Sequence, residues 1–133
     1  MKKFLGKYQE QIYALMRIVV GFLFMCHGAQ KVLGLIGGVD GKGGTVDLMS
    51  QYGVAGAIEL VGGLAILLGV VTSWAAFLSS GLMAVAYFMA HQPSGALPIQ
   101  NKGELAAVYA FVFLFIAARG SGIWSLGGRP GKS

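Results

Sequence analysis

The sequence predicts an all-α fold, a membrane-embedded antiparallel four-helix bundle, and three observations predict it. Of the 133 residues, 56% are hydrophobic and 11% carry a formal charge, whereas a soluble domain usually has about a quarter charged residues. The mean hydropathy is +0.70. The apolar residues also fall into four stretches of roughly the 20 residues that cross a bilayer. The length therefore fits a single transmembrane domain over residues 1–133, without an appended catalytic domain.

The first span is predicted over residues 12–36 and is the least apolar of the four, because it contains Arg17, His27 and Lys31. Arg17 interrupts the apolar region that a cleaved signal peptide would need, so we interpret the segment as a retained helix. A glycine-rich loop over residues 34–44 follows, since each glycine destabilises a helix by roughly 1 kcal/mol. Residues 45–52 are expected to form a short interfacial helix.

The other three spans are predicted over residues 54–71, 74–90 and 101–118. Only Thr72 and Ser73 connect the second span to the third, so these two helices must run antiparallel. Prolines separate the third span from the fourth. Asn101 and Glu104 open the fourth span with the pattern N-x-x-E, which predicts a capping box in which Asn101 is the N-cap residue.

The distribution of basic residues predicts that both termini are cytoplasmic in a bacterial inner membrane, because basic residues near spans favour that side. Both tails are basic, while the loops on the opposite side hold only Lys42 and Lys102. This asymmetry accounts for the net charge of +5, so no nucleic-acid partner is expected. The basic tail residues are Lys2, Lys3, Lys7, Arg119, Arg129 and Lys132.

Polar side chains from all four spans are predicted to share one depth in the membrane. At a rise of 1.5 Å per residue, they lie within about 10 Å of the outer boundary. Ionisable residues inside spans normally face a bundle interior or a cavity and indicate a functional site by default. The polar layer consists of His27, Lys31, Glu59, His91, Asn101 and Glu104.

Glu59, His27 and Lys31 are the predicted catalytic residues. A carboxylate in hydrocarbon must be neutral or paired, so Glu59 either takes part in proton transfer or forms a structural pair with Arg17 or Lys31, with equal weight. His27 and Lys31 are four residues apart and are neighbours on the helix surface. Histidine titrates near neutrality, and Lys31 could stabilise a developing negative charge. A packed histidine and a lysine that extends to the interface are the structural alternatives.

Arg17, Gly28 and Gly63 are predicted to be structural. Arg17 shares one helix face with Gly21, Phe24, Gly28 and Lys31, which indicates a packing stripe that faces the bundle interior. Glycines such as Gly28 and Gly63 allow neighbouring helices to approach closely. Arg17 lies near the cytoplasmic side, where it is expected to extend to the interface or to close a structural ion pair.

The remaining candidates are predicted to bind a ligand. Phe24, Tyr87 and Phe88 would form apolar walls, and His91, Asn101 and Glu104 would add polar contacts. Helix capping is the alternative for the last two. The lone cysteine, Cys26, excludes a disulfide framework and a CxxC redox pair within one chain. No metal site is predicted, and haem ligation by His27 and His91 is disfavoured because no spacing signature accompanies the two histidines.

Several sequence blocks resemble one known family. They are His27-Gly-Ala-Gln-Lys31, Gly56-Ala-Ile-Glu59-Leu-Val-Gly-Gly63, Pro98-Ile-Gln-Asn101-Lys-Gly-Glu104 and Gly120-Ser-Gly-Ile-Trp124. Together they resemble the DoxX family of small bacterial membrane proteins over nearly the whole chain, although Gly127 stands where an aspartate is often found. The resemblance implies a four-helix transmembrane bundle. It also implies an association with redox chemistry, including thiosulfate:quinone oxidoreductase and membrane-bound oxidoreductase complexes.

Three functions follow as hypotheses. The first is a site for a quinone-type or other small molecule in the outer half of the bundle. The second is a scaffold or assembly subunit of a membrane oxidoreductase complex. The third is a small proton-coupled transporter, although comparable exporters have their essential glutamate in the first span. The expected partners are the lipid bilayer, membrane or peripheral oxidoreductase subunits and a second copy of the chain.

Overall fold

The computed structural model describes residues 1–127, and every regular element in that range is helical. This confirms the all-α class. A 3-10 turn at Gly6–Tyr8 links the first two helices, and a π-helix at Tyr87–His91 and a 3-10 turn at Gln92–Ser94 follow the fourth. Arg129 and Lys132 lie outside the described residues. The helices are α1 (Lys2–Leu5), α2 (Gln9–Leu33), α3 (Gln51–Leu68), α4 (Thr72–Ala86), α5 (Pro98–Asn101) and α6 (Glu104–Arg119).

Three helical stretches are long and apolar enough to cross a membrane, namely Lys2–Leu33, Gln51–Leu68 and Thr72–Ser94. α6 is shorter, with 16 residues. Its outer surface is nevertheless apolar, because large hydrophobic side chains are exposed along its whole length. These are Leu105, Val108, Phe111, Leu114 and Phe115.

α2 and α3 pack against each other through glycines. A Cβ atom on Gly28 would collide with the backbone nitrogen of Leu60, and one on Gly63 would collide with the backbone nitrogen of Met25. A Cβ on Gly21 would lie 2.6 Å from the nitrogen of Leu67. Residue numbers rise along α2 while those of the contacted residues in α3 fall, so the two helices run antiparallel at this contact.

An aromatic cluster joins α2 to α6. The ring of Phe24 lies 5.5 Å from that of Tyr109 and 4.6 Å from that of Phe113, measured between centroids. Tyr109 and Phe113 stack with an interplanar angle of 5°. Near the other end, the Tyr13 hydroxyl donates to the carbonyl of Gly120 at 2.6 Å. α6 therefore runs from the carboxyl end of α2 to its amino end.

Arg17 lies in the half of the fold where α3 and α6 end, and it is fully buried. Its Nη1 donates to the carbonyls of Ile66 and Leu67 at 3.0 and 3.1 Å, and its Nη2 donates to those of Ile123 and Trp124 at 3.1 and 2.8 Å. The last carbonyls of a helix lack partners within the helix and carry its negative dipole end. The expectation that Arg17 extends to the interface or pairs with Glu59 is wrong, because backbone carbonyls satisfy its charge instead.

The connection between α2 and α3 is a loop throughout. Gly34 ends α2 in the left-handed conformation with φ 67°, and Ser50 caps α3 by accepting a hydrogen bond from the Gly53 amide. The predicted interfacial helix over residues 45–52 is therefore wrong, because α3 begins only at Gln51. Within the loop, hydrogen bonds from the amides of Gly44 and Lys42 hold the pKa of Asp40 below its ordinary value.

Gly28→Leu should force α2 and α3 apart, because the added side chain meets backbone atoms that cannot rotate away. Overpacking of this kind costs about 1–3 kcal/mol or more in the free energy of unfolding. Unfolding in mixed micelles measures the loss. Gly81→Leu is the matched control, since a Cβ at Gly81 of α4 has no heavy atom within 4 Å. Equal stability of the two variants would contradict the packing role.

Arg17→Lys should also destabilise the protein, although it keeps the charge. A lysine ammonium cannot reproduce the planar arrangement of donors that reaches four carbonyls, and each lost hydrogen bond of a charged group costs about 1.5–3 kcal/mol. The same unfolding measurement applies. Arg119→Lys, at a partly exposed arginine, should change the stability by no more than about 1 kcal/mol.

Candidate functional site

A large cavity lies between the amino-terminal half of α3 and the carboxyl-terminal half of α4. The two helices meet near Gly62, where a Cβ would lie 2.9 Å from the Ser79 hydroxyl. Beyond this contact they border a cavity of about 710 Å³, to which α2 and α6 add the remaining walls. Most of the lining is apolar, and its polar side chains include His27, Lys31, Glu59, His91, Lys102 and Tyr109.

Glu59 and Lys31 form an ion pair at the wall of this cavity. Lys31 Nζ lies 2.6 Å from Glu59 Oε1, and 4% of the Glu59 side chain is exposed, against 29% of the Lys31 side chain. The close contact of α2 with α3 produces this geometry, because Gly56 leaves room for the Lys31 side chain beside the α3 backbone. A charge-assisted hydrogen bond of this kind is about twice as strong as a neutral one.

The second oxygen of Glu59 is buried and has no hydrogen-bond partner among the residues that the structure describes. A buried carboxylate oxygen without a partner loses hydration and gains nothing in return. The pair therefore presents both a cationic donor, Lys31, and an unused acceptor, Glu59 Oε2. Because neighbouring atoms cover Oε2, a hydroxyl or N–H group of a ligand would reach it only after a nearby side chain moves.

Aromatic and imidazole rings form the wall next to the pair. His27 stands edge-on to Tyr109, with ring centroids 6.3 Å apart, and Phe24 packs against the same tyrosine. The sequence analysis missed Tyr109. A signal for it was present, because it is the one side chain with a polar atom between Leu105 and Ala118.

His91 and Asn101 form a polar network beyond the carboxyl end of α4. His91 Nδ1 lies 3.2 Å from the carbonyl oxygen of Asn101, and because a carbonyl only accepts, this nitrogen carries the proton. The Asn101 amide group donates to the Tyr87 hydroxyl at 3.1 Å and to the carbonyl of Gly95 at 3.0 Å. Asn101 thus connects the π-helix to the start of α6. π-helical turns are frequent at functional sites.

The predicted capping box of Asn101 and Glu104 is wrong. Gly103 is the N-cap residue of α6, and no side chain caps the amino end of this helix. Lys102 adopts the left-handed conformation with φ 60°, which separates α5 from α6 and leaves Asn101 two residues before the N-cap position. The Asn101 Oδ1 accepts instead from the amide of Gly103 at 2.8 Å.

The cavity brings together five of the predicted site residues and leaves four outside its lining. Phe24, His27, Lys31, Glu59 and His91 line it. Tyr87, Phe88, Asn101 and Glu104 do not line it, and their contacts with a ligand stay a prediction. Tyr87 and Asn101 bond to each other, and 65% of Phe88 is exposed.

One side of the cavity is bordered by exposed apolar side chains. Val54 of α3 and Val85 of α4 line it and are each about half exposed, and Met89 of the π-helix is 58% exposed. The Gln51 amide lies 3.5 Å from the Met89 sulfur and bridges the amino end of α3 and the π-helix. The cavity is therefore accessible sideways between α3 and α4, on the apolar surface of the protein.

A site for a metal held by several side chains is absent from residues 1–127, where no group of three or more His, Cys, Asp and Glu residues has suitable geometry. His27 and His91 both line the cavity. Cys26 is partly buried and free.

Comparison with known proteins identifies relatives of this chain. The sequence model of the DoxX family matches residues 12–92, a range that contains Glu59, Lys31, His27 and His91. The chain is also 40% identical over 126 residues to an uncharacterized protein of Haemophilus influenzae (strain ATCC 51907 / DSM 11121 / KW20 / Rd), and the match covers 92% of each chain. No solved structure matches the chain.

The Lys31–Glu59 pair should show strong coupling in a double-mutant cycle. Lys31→Met leaves a buried carboxylate without its counter-ion, and breaking a buried pair in this way costs about 3–5 kcal/mol of stability. Adding Glu59→Gln should recover part of that loss, because the buried charge disappears. Unfolding of the four proteins in micelles gives the coupling energy.

The exposed pair of Glu10 and Arg119, with oxygen and nitrogen 2.9 Å apart, provides the matched control. Its cycle should give a coupling of no more than about 1 kcal/mol. If both cycles gave the same coupling energy, Lys31 and Glu59 would behave as a solvated pair, and water would reach this wall of the cavity.

Proposed function

We propose that this membrane protein, which belongs to the DoxX family, binds an amphipathic, quinone-type small molecule in the cavity between its helices. The observation that carries the proposal is the buried Glu59 carboxylate, which is paired with Lys31 on one oxygen and has no partner on the other. Natural ligand sites combine largely apolar walls with a few polar groups that fix the ligand's orientation, in volumes of about 300–1,000 Å³.

The membrane arrangement that we propose is a single transmembrane domain of four antiparallel helices. Three helical stretches have the length and composition of a span. The fourth, α6, is about 24 Å long at 1.5 Å per residue, which is somewhat less than a hydrocarbon core of about 30 Å. Its contacts support a full crossing, since Tyr13 bonds to Gly120 at one end and Asn101 connects to Tyr87 at the other. Both termini then lie on one side, and their lysines favour the cytoplasmic side of a bacterial inner membrane.

The polar groups of the cavity suit a head group that can both accept and donate hydrogen bonds. Lys31 donates, and Glu59 Oε2 accepts. A quinone ring carries carbonyl oxygens when oxidised and hydroxyl groups when reduced, so this pair complements both of its states. His27 and Tyr109 add a titratable ring and a phenol to the same wall. In this proposal Glu59 and His27 exchange protons with the ligand, and Lys31 stabilises negative charge on it.

The apolar side opening fits a ligand that is dissolved in the bilayer. Val54, Val85 and Met89 border this opening and present carbon atoms rather than charges. A lipid-soluble molecule can diffuse between α3 and α4 without crossing water. The lining also includes the exposed polar residues Gln51 and Lys102, which lie near the polar groups that the head group of such a ligand would use.

The chain's own side chains supply binding and proton exchange in this proposal, and electrons reach the ligand from a partner subunit. Quinones carry two electrons and two protons when reduced. One cysteine and two histidines in the whole sequence do not form a chain of redox groups. A membrane or peripheral oxidoreductase subunit is therefore the expected partner.

Glu59→Gln should weaken binding of a short-chain ubiquinone analogue by about ten- to a hundred-fold, since the loss of a hydrogen bond to a charged group costs about 1.5–3 kcal/mol. Calorimetric titration of the purified full chain in detergent measures the affinity. Extraction of the purified protein with organic solvent should in addition recover quinone from the wild type.

Glu104→Gln is the matched control, because it makes the same chemical change at an exposed residue that does not line the cavity. It should bind the analogue as the wild type does. Unchanged binding by Glu59→Gln would remove Glu59 from the site. Absence of binding by the wild type, together with Glu59-dependent proton flux in liposomes, would favour the transporter hypothesis, and absence of both would favour a scaffold.

A further inference from the structure

A second concave surface lies at the opposite end of the molecule from the cavity. The hydrogen bond from Tyr13 to Gly120 places Tyr13 level with the end of α6. The chain from Lys2 to Tyr8 continues beyond that level as α1 and a 3-10 turn, and Tyr8 interrupts the helical conformation with φ −111° and ψ 17°. A groove of about 360 Å³ lies between this overhanging segment and the last turn of α6.

The groove has an apolar floor and two basic side chains in its lining. Leu5, Ile12, Met16 and Phe115 supply carbon surface along its length. Lys2 and Arg119 both line the groove, Lys2 from α1 and Arg119 from its place beside the Tyr13 ring. A hydrocarbon surface combined with cationic side chains complements an amphipathic anion that has a long apolar chain.

Arg119 is held in place at this groove. Its guanidinium carbon lies 4.3 Å from the centroid of the Tyr13 ring, and its Nη2 donates to Glu10 Oε1 at 2.9 Å. An arginine fixed by stacking needs less ordering to bind a phosphate than a free one. Glu10 is 59% exposed in its side chain, so water screens its competition for the guanidinium.

We propose that this groove binds an anionic phospholipid, with its phosphate near Lys2 and Arg119 and one acyl chain along the apolar floor. Charge complementarity supports this occupant, because the overhanging segment adds Lys3 and Lys7 to these two cations against the single acidic residue Glu10. Among residues 1–127, none of the three amino-terminal lysines forms an ion pair. Basic clusters beside a span bind anionic lipids, with about 1 kcal/mol for each Lys or Arg near the surface.

The exposed apolar side chains of the overhang indicate a lipid rather than a soluble phosphate. Phe4 is 61% exposed, and Leu5 and Tyr8 are 43% and 47% exposed. These side chains alternate with the lysines, so the segment is amphipathic and suited to the membrane interface. A free phosphate ion would neutralise Lys2 and Arg119 but would leave the floor of the groove bare.

The test uses the full chain, reconstituted in vesicles that contain equal parts of phosphatidylglycerol and phosphatidylcholine, extracted gently and analysed by native mass spectrometry. Phosphatidylglycerol should be enriched among the lipids that remain bound. Arg119→Gln and Lys2→Gln should each reduce this enrichment about fivefold, the factor that corresponds to one cation near the surface. Inorganic phosphate in millimolar excess should not displace the lipid.

Lys42→Gln is the matched control, since it removes a cation from the loop at the opposite end and should leave the enrichment unchanged. Lys2→Gln keeps the test decisive if Arg119→Gln fails to fold, because Lys2 lies outside the packed core and is exposed. Equal retention of the two lipids, displacement by phosphate, or an equal effect of Lys42→Gln would overturn the proposal.

Discussion

The close approach of α2 to α3 is the constraint on which the rest of the structure depends. Helices in lipid gain little from the hydrophobic effect when they associate, so van der Waals contact and polar bonds must hold them together. Gly28 and Gly63 allow the two backbones to touch. This contact fixes the rotation of both helices, and it thereby brings Lys31 to within 2.6 Å of Glu59. One wall of the cavity therefore depends on these two glycines, which have no side chain to separate the helices.

Arg17 and Glu59 show two different ways to bury a charge. Arg17 donates to four backbone carbonyls at the end of α3 and in the segment after α6, and it lines neither of the cavities described above. Glu59 has a counter-ion on one oxygen and no partner on the other, and it borders a cavity. Both terminal nitrogens of Arg17 have acceptors and only its Nε lacks one, whereas one of the two carboxylate oxygens of Glu59 lacks a partner beside a cavity, which makes Glu59 the better candidate for function.

The sequence predicted the helices well because hydropathy marks where a chain can cross a membrane. The ends of the helices were less predictable, since they depend on single residues in unusual backbone conformations. Lys102 is one such residue, and its left-handed conformation removed the predicted capping box of Asn101 and Glu104. Propensity rules do not identify a lysine as a residue of positive φ.

For the site, the sequence identified Glu59, Lys31 and His27 as unusual but left open whether Arg17 or Lys31 pairs with the carboxylate. Both cations lie on the same face of α2, so helical periodicity could not separate them. The vertical register of α2 against α3 decided the question, and that register is set by packing between residues distant in sequence. Tyr109 was missed because a tyrosine within an apolar run is usually part of the core.

The bonds between Arg17 and the carbonyls of Ile123 and Trp124 impose an order of events during biosynthesis. Ribosomes produce Arg17 more than a hundred residues before these acceptors exist. A nascent chain that has already inserted α2 and α3 therefore carries a guanidinium with half of its final acceptors. A segment synthesised more than a hundred residues later completes the burial of Arg17, so a product truncated before Ile123 would lack these two hydrogen bonds.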